Sequence, residues 1–73
     1  MSNNLYSEEH EAIVEKLIKA RHEAGFDQLE VAKKLGRSQS YLSKIESGQR
    51  KIDVIQLKKF AALYRKDINY FIK

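Results

Sequence analysis

The sequence of 73 residues contains no cysteine and no proline, and it has no long apolar run. Without cysteine there is no disulfide, no thiolate nucleophile and no cysteine-ligated zinc site, so apolar packing must stabilise the fold. The uncharged stretches are far shorter than the roughly 18–20 apolar residues that span a bilayer. Met1–Tyr6 also lacks the basic and then apolar composition of a secretion signal. We therefore expect a cytoplasmic protein with no membrane partner.

The short chain excludes further classes of protein. A domain of this size buries only roughly 60–65% of the surface of its unfolded chain, which leaves no room for a second core or a deep cleft. We therefore expect a single domain over residues 1–73, and an enzyme is a remote alternative. His10 and His22 have no third ligand at a suitable spacing, so we expect surface histidines, no metal site and no cofactor.

Charge is unevenly distributed along the chain. Residues 1–30 carry three basic and seven acidic side chains, whereas residues 31–73 carry eleven basic and three acidic ones. The composition, 42% hydrophobic and 33% charged, is typical of a globular chain. The basic part favours a polyanionic partner such as nucleic acid, and a basic solvated surface is the alternative.

Apolar periodicity predicts an all-α fold of five helices. They are expected at about residues 8–24, 28–35, 39–47, 54–64 and 68–72. Each follows a residue whose side chain can accept hydrogen bonds from the first N–H groups of a helix; these residues are Ser7, Asp27, Ser38, Asp53 and Asp67. Gly25, Gly36 and Gly48 are expected to end the first three helices.

The same periodicity gives the expected core. The inward-facing residues are Ile13, Val14, Leu17, Ile18, Ala20, Ala24, Val31, Ala32, Leu35, Leu42, Ile45, Leu57, Phe60, Ala61, Tyr64, Ile68, Phe71 and Ile72, together with Val54 or Ile55. Tyr41 lies beside two of them, and we expect it to pack there, to lie against a nucleic-acid backbone, or both.

The second and third helices are joined by only three residues, so they must cross at a tight turn. Gly36 provides the backbone freedom for this turn. Ala32 lies where the two helices approach most closely, and Leu42 and Ile45 fix the third helix on the others. This arrangement would hold the third helix with its outer face exposed.

That outer face carries Gln39, Ser40, Ser43, Lys44 and Ser47, with no acidic residue among them. A Gln amide can bond bidentately to adenine, and a Lys ammonium can donate to the guanine O6 and N7 acceptors. The pattern favours contact with bases in a major groove, although Ser and Gln are also common on ordinary surfaces.

These residues resemble the helix-turn-helix of the Cro/C1-type family, also called the XRE or phage-repressor family. Gln28, Ala32, Gly36, Leu42 and Ile45 occupy the first, fifth, ninth, fifteenth and eighteenth places of the motif. The resemblance covers about residues 10–72 and implies a five-helix, lambda-repressor-like DNA-binding domain. It further implies a sequence-specific transcriptional regulator of double-stranded DNA that acts as a homodimer.

The resemblance also implies roles for individual residues. Those expected to face base edges are Gln39, Ser40, Ser43 and Lys44. Those expected to contact the DNA backbone are Gln28, Arg21, Arg37, Ser38, Ser47, Gln49, Arg50 and Lys51. Gln28 would also brace Gln39, while Arg21 and Glu46 would form a mainly structural clasp. Arg65 stands where the family favours Gly or Asn, so we expect the fourth helix to close differently.

Two questions stay open from the sequence. The dimer would pair through the C-terminal helix region. Each monomer would then have to expose some of the apolar residues there, which are Tyr64, Ile68, Tyr70, Phe71 and Ile72. The protein could instead be a protein-binding adaptor, such as an antitoxin, that uses its acidic first helix and binds DNA secondarily. An RNA-binding module is disfavoured because side chains do not readily enter the deep, narrow groove of duplex RNA.

Overall fold

The computed structural model describes residues 7–73, which form five α-helices joined by short connections. The helices are α1 (Glu8–Ala24), α2 (Gln28–Leu35), α3 (Gln39–Glu46), α4 (Val54–Tyr64) and α5 (Ile68–Ile72). No strand occurs in this part of the chain, and the all-α prediction is confirmed. The expectation about a secretion signal concerns residues 1–6, which lie outside the described residues.

Each helix begins at the capping residue expected from the sequence. The side chains of Ser7, Asp27, Ser38, Asp53 and Asp67 all accept a hydrogen bond from a backbone N–H of the following helix. At α2 the cap is reciprocal, because Glu30 also accepts from the Asp27 N–H at 2.8 Å. These hydrogen bonds satisfy N–H groups that have no partner inside the helix, so they fix where each helix starts.

The third helix ends one residue earlier than expected. It stops at Glu46, and Ser47 follows with φ −90° and ψ 0° before Gly48 adopts a left-handed φ of 82°. Gly36 ends α2 with φ 70°, and a Cβ built there would meet no atom within 4 Å. The need for glycine at this turn is therefore conformational and does not come from crowding.

Arg65 closes α4 in the left-handed conformation, with φ 59° and ψ 44°. It is the only residue other than glycine with positive φ among residues 7–73. The expectation that this turn closes differently is wrong, since Arg65 adopts the conformation that Gly or Asn favours. An L-residue with a Cβ is strained in this conformation, so the same turn is formed at a conformational cost.

One apolar core joins the five helices. Helix α1 packs against α3, α4 and α5, and α2 packs on α3. Residues with no more than 1% exposure are Leu17, Ala20, Val31, Ala32, Leu42, Ile45, Phe60 and Phe71. Leu42 and Ile45 are fully buried, as their spacing predicts, so they fix one side of α3 on the core.

Three expected core positions are exposed, since Val54 and Ile55 were alternatives for one of them. Val54 and Ile55 are 61% and 63% exposed, Ile72 is 53% exposed, and Ala24 is also exposed. Ile55 lies about 160° around the helix from the buried Leu57. Val54 shares the side of Leu57 but precedes the buried part of α4, while Ala24 and Ile72 are the last residues of their helices. Periodicity indicates a side of a helix and not how far the core extends along it.

Candidate nucleic-acid interface

The joint between α2 and α3 is closed by backbone hydrogen bonds. The Arg37 N–H donates to the Ala32 carbonyl at 2.8 Å, and the Gly36 N–H donates to the Lys33 carbonyl at 3.1 Å. Ala32 is 1% exposed, so its small side chain lies within the packed interior next to this turn. The chain then enters α3 directly at the Ser38 cap.

The outer face of α3 presents polar side chains to solvent. Gln39, Ser40, Ser43 and Lys44 are all exposed. The acidic residue of α3, Glu46, has a side chain that is only 6% exposed. The face therefore offers amide, hydroxyl and ammonium groups with no exposed carboxylate of α3 beside them.

Glu46 instead faces Arg21 of α1. Arg21 Nε donates to Glu46 Oε2 at 2.8 Å and Nη2 donates to Oε1 at 3.0 Å. Nη1 donates to the Phe26 carbonyl at 3.0 Å. The hydrogen bonds to Glu46 raise the pKa of Arg21, while burial opposes the shift. The structure thus brings together the two residues expected to form a clasp between α1 and α3.

Gln28 joins the same cluster. Its Nε2 donates to Glu46 Oε1 at 3.0 Å, so this oxygen accepts from both Gln28 and Arg21. The brace expected between Gln28 and Gln39 does not form within the described part of the chain. Glu46 is an ionised acceptor and makes the stronger hydrogen bond, which explains why the Gln28 amide turns to the end of α3.

The loop after α3 uses its first main-chain donors internally. The N–H groups of Ser47, Gly48 and Gln49 donate to the carbonyls of Ser43, Ile45 and Lys44. The Ser47 hydroxyl also donates to the Lys44 carbonyl at 3.1 Å. The side chains of Arg50 and Lys51 lie just beyond and are exposed. At the other end of α3, the Ser38 hydroxyl oxygen accepts a hydrogen bond from the Tyr41 N–H at 3.1 Å.

Two arginines stack on Tyr41, which is only 8% exposed. The guanidinium carbons of Arg37 and Arg50 lie 4.0 and 5.1 Å from its ring centroid. Sequence reasoning missed this cluster, although Arg37 precedes Tyr41 by four residues. Gln56 and Lys59 of α4 line the groove beside it, and no sequence motif indicated their place there.

Other kinds of site find no support in residues 7–73. No group of three or more His, Asp or Glu side chains there is arranged to hold a metal ion. His10 is half-buried and His22 is exposed. The described helices are too short or too polar to cross a membrane.

The tight joint and the outward α3 define a small helix-turn-helix domain. A family model described as Helix-turn-helix matches residues 17–71, which is more than half of the chain. The chain therefore belongs to the Cro/C1-type (XRE) helix-turn-helix family, whose members are DNA-binding transcription regulators. Comparisons with curated proteins and with solved structures gave no match.

Proposed function

We propose that the protein is a sequence-specific transcriptional regulator whose α3 enters the major groove of double-stranded DNA. The exposed face of α3, free of carboxylates, is the observation that carries this proposal. The residues that contact base edges in this arrangement are Gln39, Ser40, Ser43 and Lys44. Their donors and acceptors are complementary to those in the major groove.

Residues around α3 would position the domain on the phosphate backbone, without reading sequence. They are Gln28, Arg21, Arg37, Ser38, Ser47, Gln49, Arg50 and Lys51. Contact from the loop would depend mainly on the side chains of Arg50 and Lys51, because the N–H groups of residues 47–49 are already bonded. Arg21 uses three of its five N–H donors on Glu46 and Phe26, so it would contribute less.

The functional unit we propose is a homodimer on a two-fold related operator. Its two α3 helices would lie about 34–36 Å apart, so that they meet successive major grooves. Pairing would use the C-terminal helix region. Tyr64 and Phe71 belong to the core, whereas Ile72 is exposed and Ile68 and Tyr70 are half-buried. The last three are the apolar residues of this region that a second copy could cover.

Selection of bound duplexes from a random DNA pool tests this function. A two-fold symmetric consensus, with half-sites one helical turn apart, is the expected result. Enrichment of a single asymmetric half-site would contradict the homodimer. A pool that shows no enrichment, although the folded protein binds DNA, would contradict sequence-specific recognition.

A protein-binding adaptor, such as an antitoxin, is the second candidate. The start of α1 favours it, because Glu8, Glu9 and Glu11 are all exposed there. An adaptor would bind a basic partner through these carboxylates. Replacing the three with Gln should then abolish capture of a co-encoded partner while DNA binding persists. If the regulator acts alone, no such partner co-purifies.

A further inference from the structure

Arginines near α3 are held in two different ways. Arg21 is bonded to the Glu46 carboxylate and to a carbonyl. Arg37 and Arg50 have no carboxylate within ion-pair distance among residues 7–73. Both are exposed, and both guanidinium groups lie against the ring of Tyr41.

The arginines held in these two ways differ in how many N–H donors remain available to bind another molecule. A carboxylate partner occupies N–H donors, as it does at Arg21. A guanidinium is also attracted to the face of an aromatic ring, and both distances here fall within the roughly 6 Å reach of this attraction. Neither guanidinium donates a side-chain hydrogen bond within residues 7–73, so the N–H donors of both are available to an external acceptor. Tyr41 therefore restrains both arginines without using their hydrogen-bonding edges.

The surroundings of Tyr41 are basic. The groove beside its ring is lined by Leu35, Arg37, Tyr41, Gln56, Lys59 and Phe60. Gln56 also lines the neighbouring depression, where two cations, Arg50 and Lys51, accompany one carboxylate, Asp53. Cations from the α2–α3 joint, the α3–α4 loop and α4 thus lie around one aromatic side chain in the first turn of α3. An anion there would meet positive charge from three segments of the chain.

We propose that Tyr41 is a positioning residue, whose ring holds Arg37 and Arg50 with their donor edges towards phosphates of one DNA strand beside α3. This inference rests on the DNA binding proposed above. An arginine that is already ordered loses less side-chain freedom when it binds, so the ring strengthens binding without itself touching DNA. Lys59 adds charge to the same site and is not held by the ring.

Three substitutions separate positioning from general packing. Tyr41→Leu removes the ring and keeps an apolar side chain, and it should weaken binding about tenfold on every duplex sequence. Tyr41→Phe keeps the ring and should bind within about twofold of the unchanged protein. Phe26→Leu is the matched control, because it removes another stacked pair, that of Lys34 at 5.2 Å, away from this cluster. Its affinity for DNA should be unchanged.

A mutant cycle provides the decisive readout. In a protein carrying Arg37→Ala and Arg50→Ala, Tyr41→Leu should cause no further loss of affinity, because the groups it positions are gone. A loss as large as in the original background would overturn the inference. Failure of the unchanged protein to bind any duplex would overturn the proposed function, and the inference with it.

Measurements on the free protein guard against a variant that fails to fold. Thermal unfolding establishes that each variant is folded at the assay temperature, and Tyr41→Met replaces Tyr41→Leu if the latter is not. In NMR spectra, the side-chain protons of Arg37 and Arg50 should be shifted upfield by the ring. These shifts should persist in Tyr41→Phe and disappear in Tyr41→Leu or Tyr41→Met. Random-coil shifts for both arginines in the unchanged protein would contradict the stacking.

Discussion

At the scale of single residues, the Tyr64 hydroxyl is a polar group placed within the apolar core. It is buried, and it has no hydrogen-bond partner among the described residues. Burial raises the pKa of Tyr64 well above its usual value, the charge of Glu46 adds to the shift, and Arg21 opposes it. Tyr64 therefore contributes its ring to the core while its hydroxyl costs stability.

Tyr64→Phe should stabilise the protein by about 1 kcal/mol at neutral pH, since it removes a buried hydroxyl that lacks a partner. The pKa is raised in the folded state, so Tyr64 ionises first in the unfolded chain. The stability of the unchanged protein should then fall above pH of about 10, and the advantage of Tyr64→Phe should grow. Urea unfolding at several pH values measures both effects. A less stable Tyr64→Phe at pH 7 would show that the hydroxyl is hydrogen-bonded.

Glu46→Ala should destabilise the protein by about 2–3 kcal/mol, because it leaves the largely buried Arg21 guanidinium without its carboxylate. Glu23→Ala is the matched control. Glu23 pairs with Lys66 at a similar distance of 2.9 Å, but in an exposed position that water screens. Urea unfolding of the two variants provides the comparison. Equal losses would contradict the structural importance of the clasp.

At the scale of helices, the fold follows closely from the sequence. Polar caps directly precede each apolar stripe, so the start of every helix could be predicted. Val54 and Ile55 could not be placed, because the period of a helix does not indicate where its neighbours end. The end of α3 was predicted one residue too late, because Ser47 lies between the last helical residue and the left-handed Gly48.

The α2–α3 joint depends on the small size of Ala32. Ala32→Leu would add three carbons at a position that is 1% exposed, and it should cost about 1–3 kcal/mol by separating the two helices. DNA affinity should fall as well, because α3 is displaced. Ala62→Leu, at an exposed position of α4, is the control and should change neither property. Thermal unfolding and DNA titration measure the two effects. A fully stable Ala32→Leu protein with unchanged binding would show a looser joint.

The end of α4 stores backbone strain at Arg65. Arg65→Gly should stabilise the protein by about 1 kcal/mol, because glycine adopts φ 59° without a Cβ penalty. Arg65→Ala removes the same side chain and keeps the strain, so it should not stabilise. Chemical unfolding distinguishes the two substitutions. If both substitutions stabilised the protein equally, loss of the Arg65 charge, and not relief of backbone strain, would be the cause of the stabilisation.

At the scale of the whole molecule, charge and recognition are separate properties of the surface. Residues 31–73 supply most of the basic side chains, whereas only four polar residues of α3 are proposed to read bases. Arg50→Ala should weaken binding to all duplexes alike. It should also make the slope of log Kobs against log salt concentration less steep by about 0.9.

Lys44→Ala should cost about 1–3 kcal/mol on the selected site and relax base preference. Titrations of both variants on two duplexes at several salt concentrations measure these effects. A loss of affinity for Lys44→Ala that is equal on both duplexes would contradict a contact between Lys44 and the bases.

The sequence predicts part of this interface. Exposure of Ser40 and Ser43 follows from the burial of Leu42 and Ile45 on the opposite side of the same short helix, and Gln39 and Lys44 flank that exposed side. The stacking of Arg50 on Tyr41 does not follow, because it depends on the path of the loop after α3. The partner of Gln28 likewise depends on which end of α3 lies nearer to the start of α2. Contacts set by one helix are predictable, whereas those that join several segments require the fold.

The proposed function requires that α3 lies in the major groove with its polar face towards the bases. NMR of the labelled protein bound to a selected duplex tests this most directly. Intermolecular NOEs should connect the side chains of Gln39 and Lys44 to cytosine H5 or thymine methyl protons, which line the major groove. NOEs confined to sugar protons, or changes confined to α1 with α3 unaffected, would contradict it.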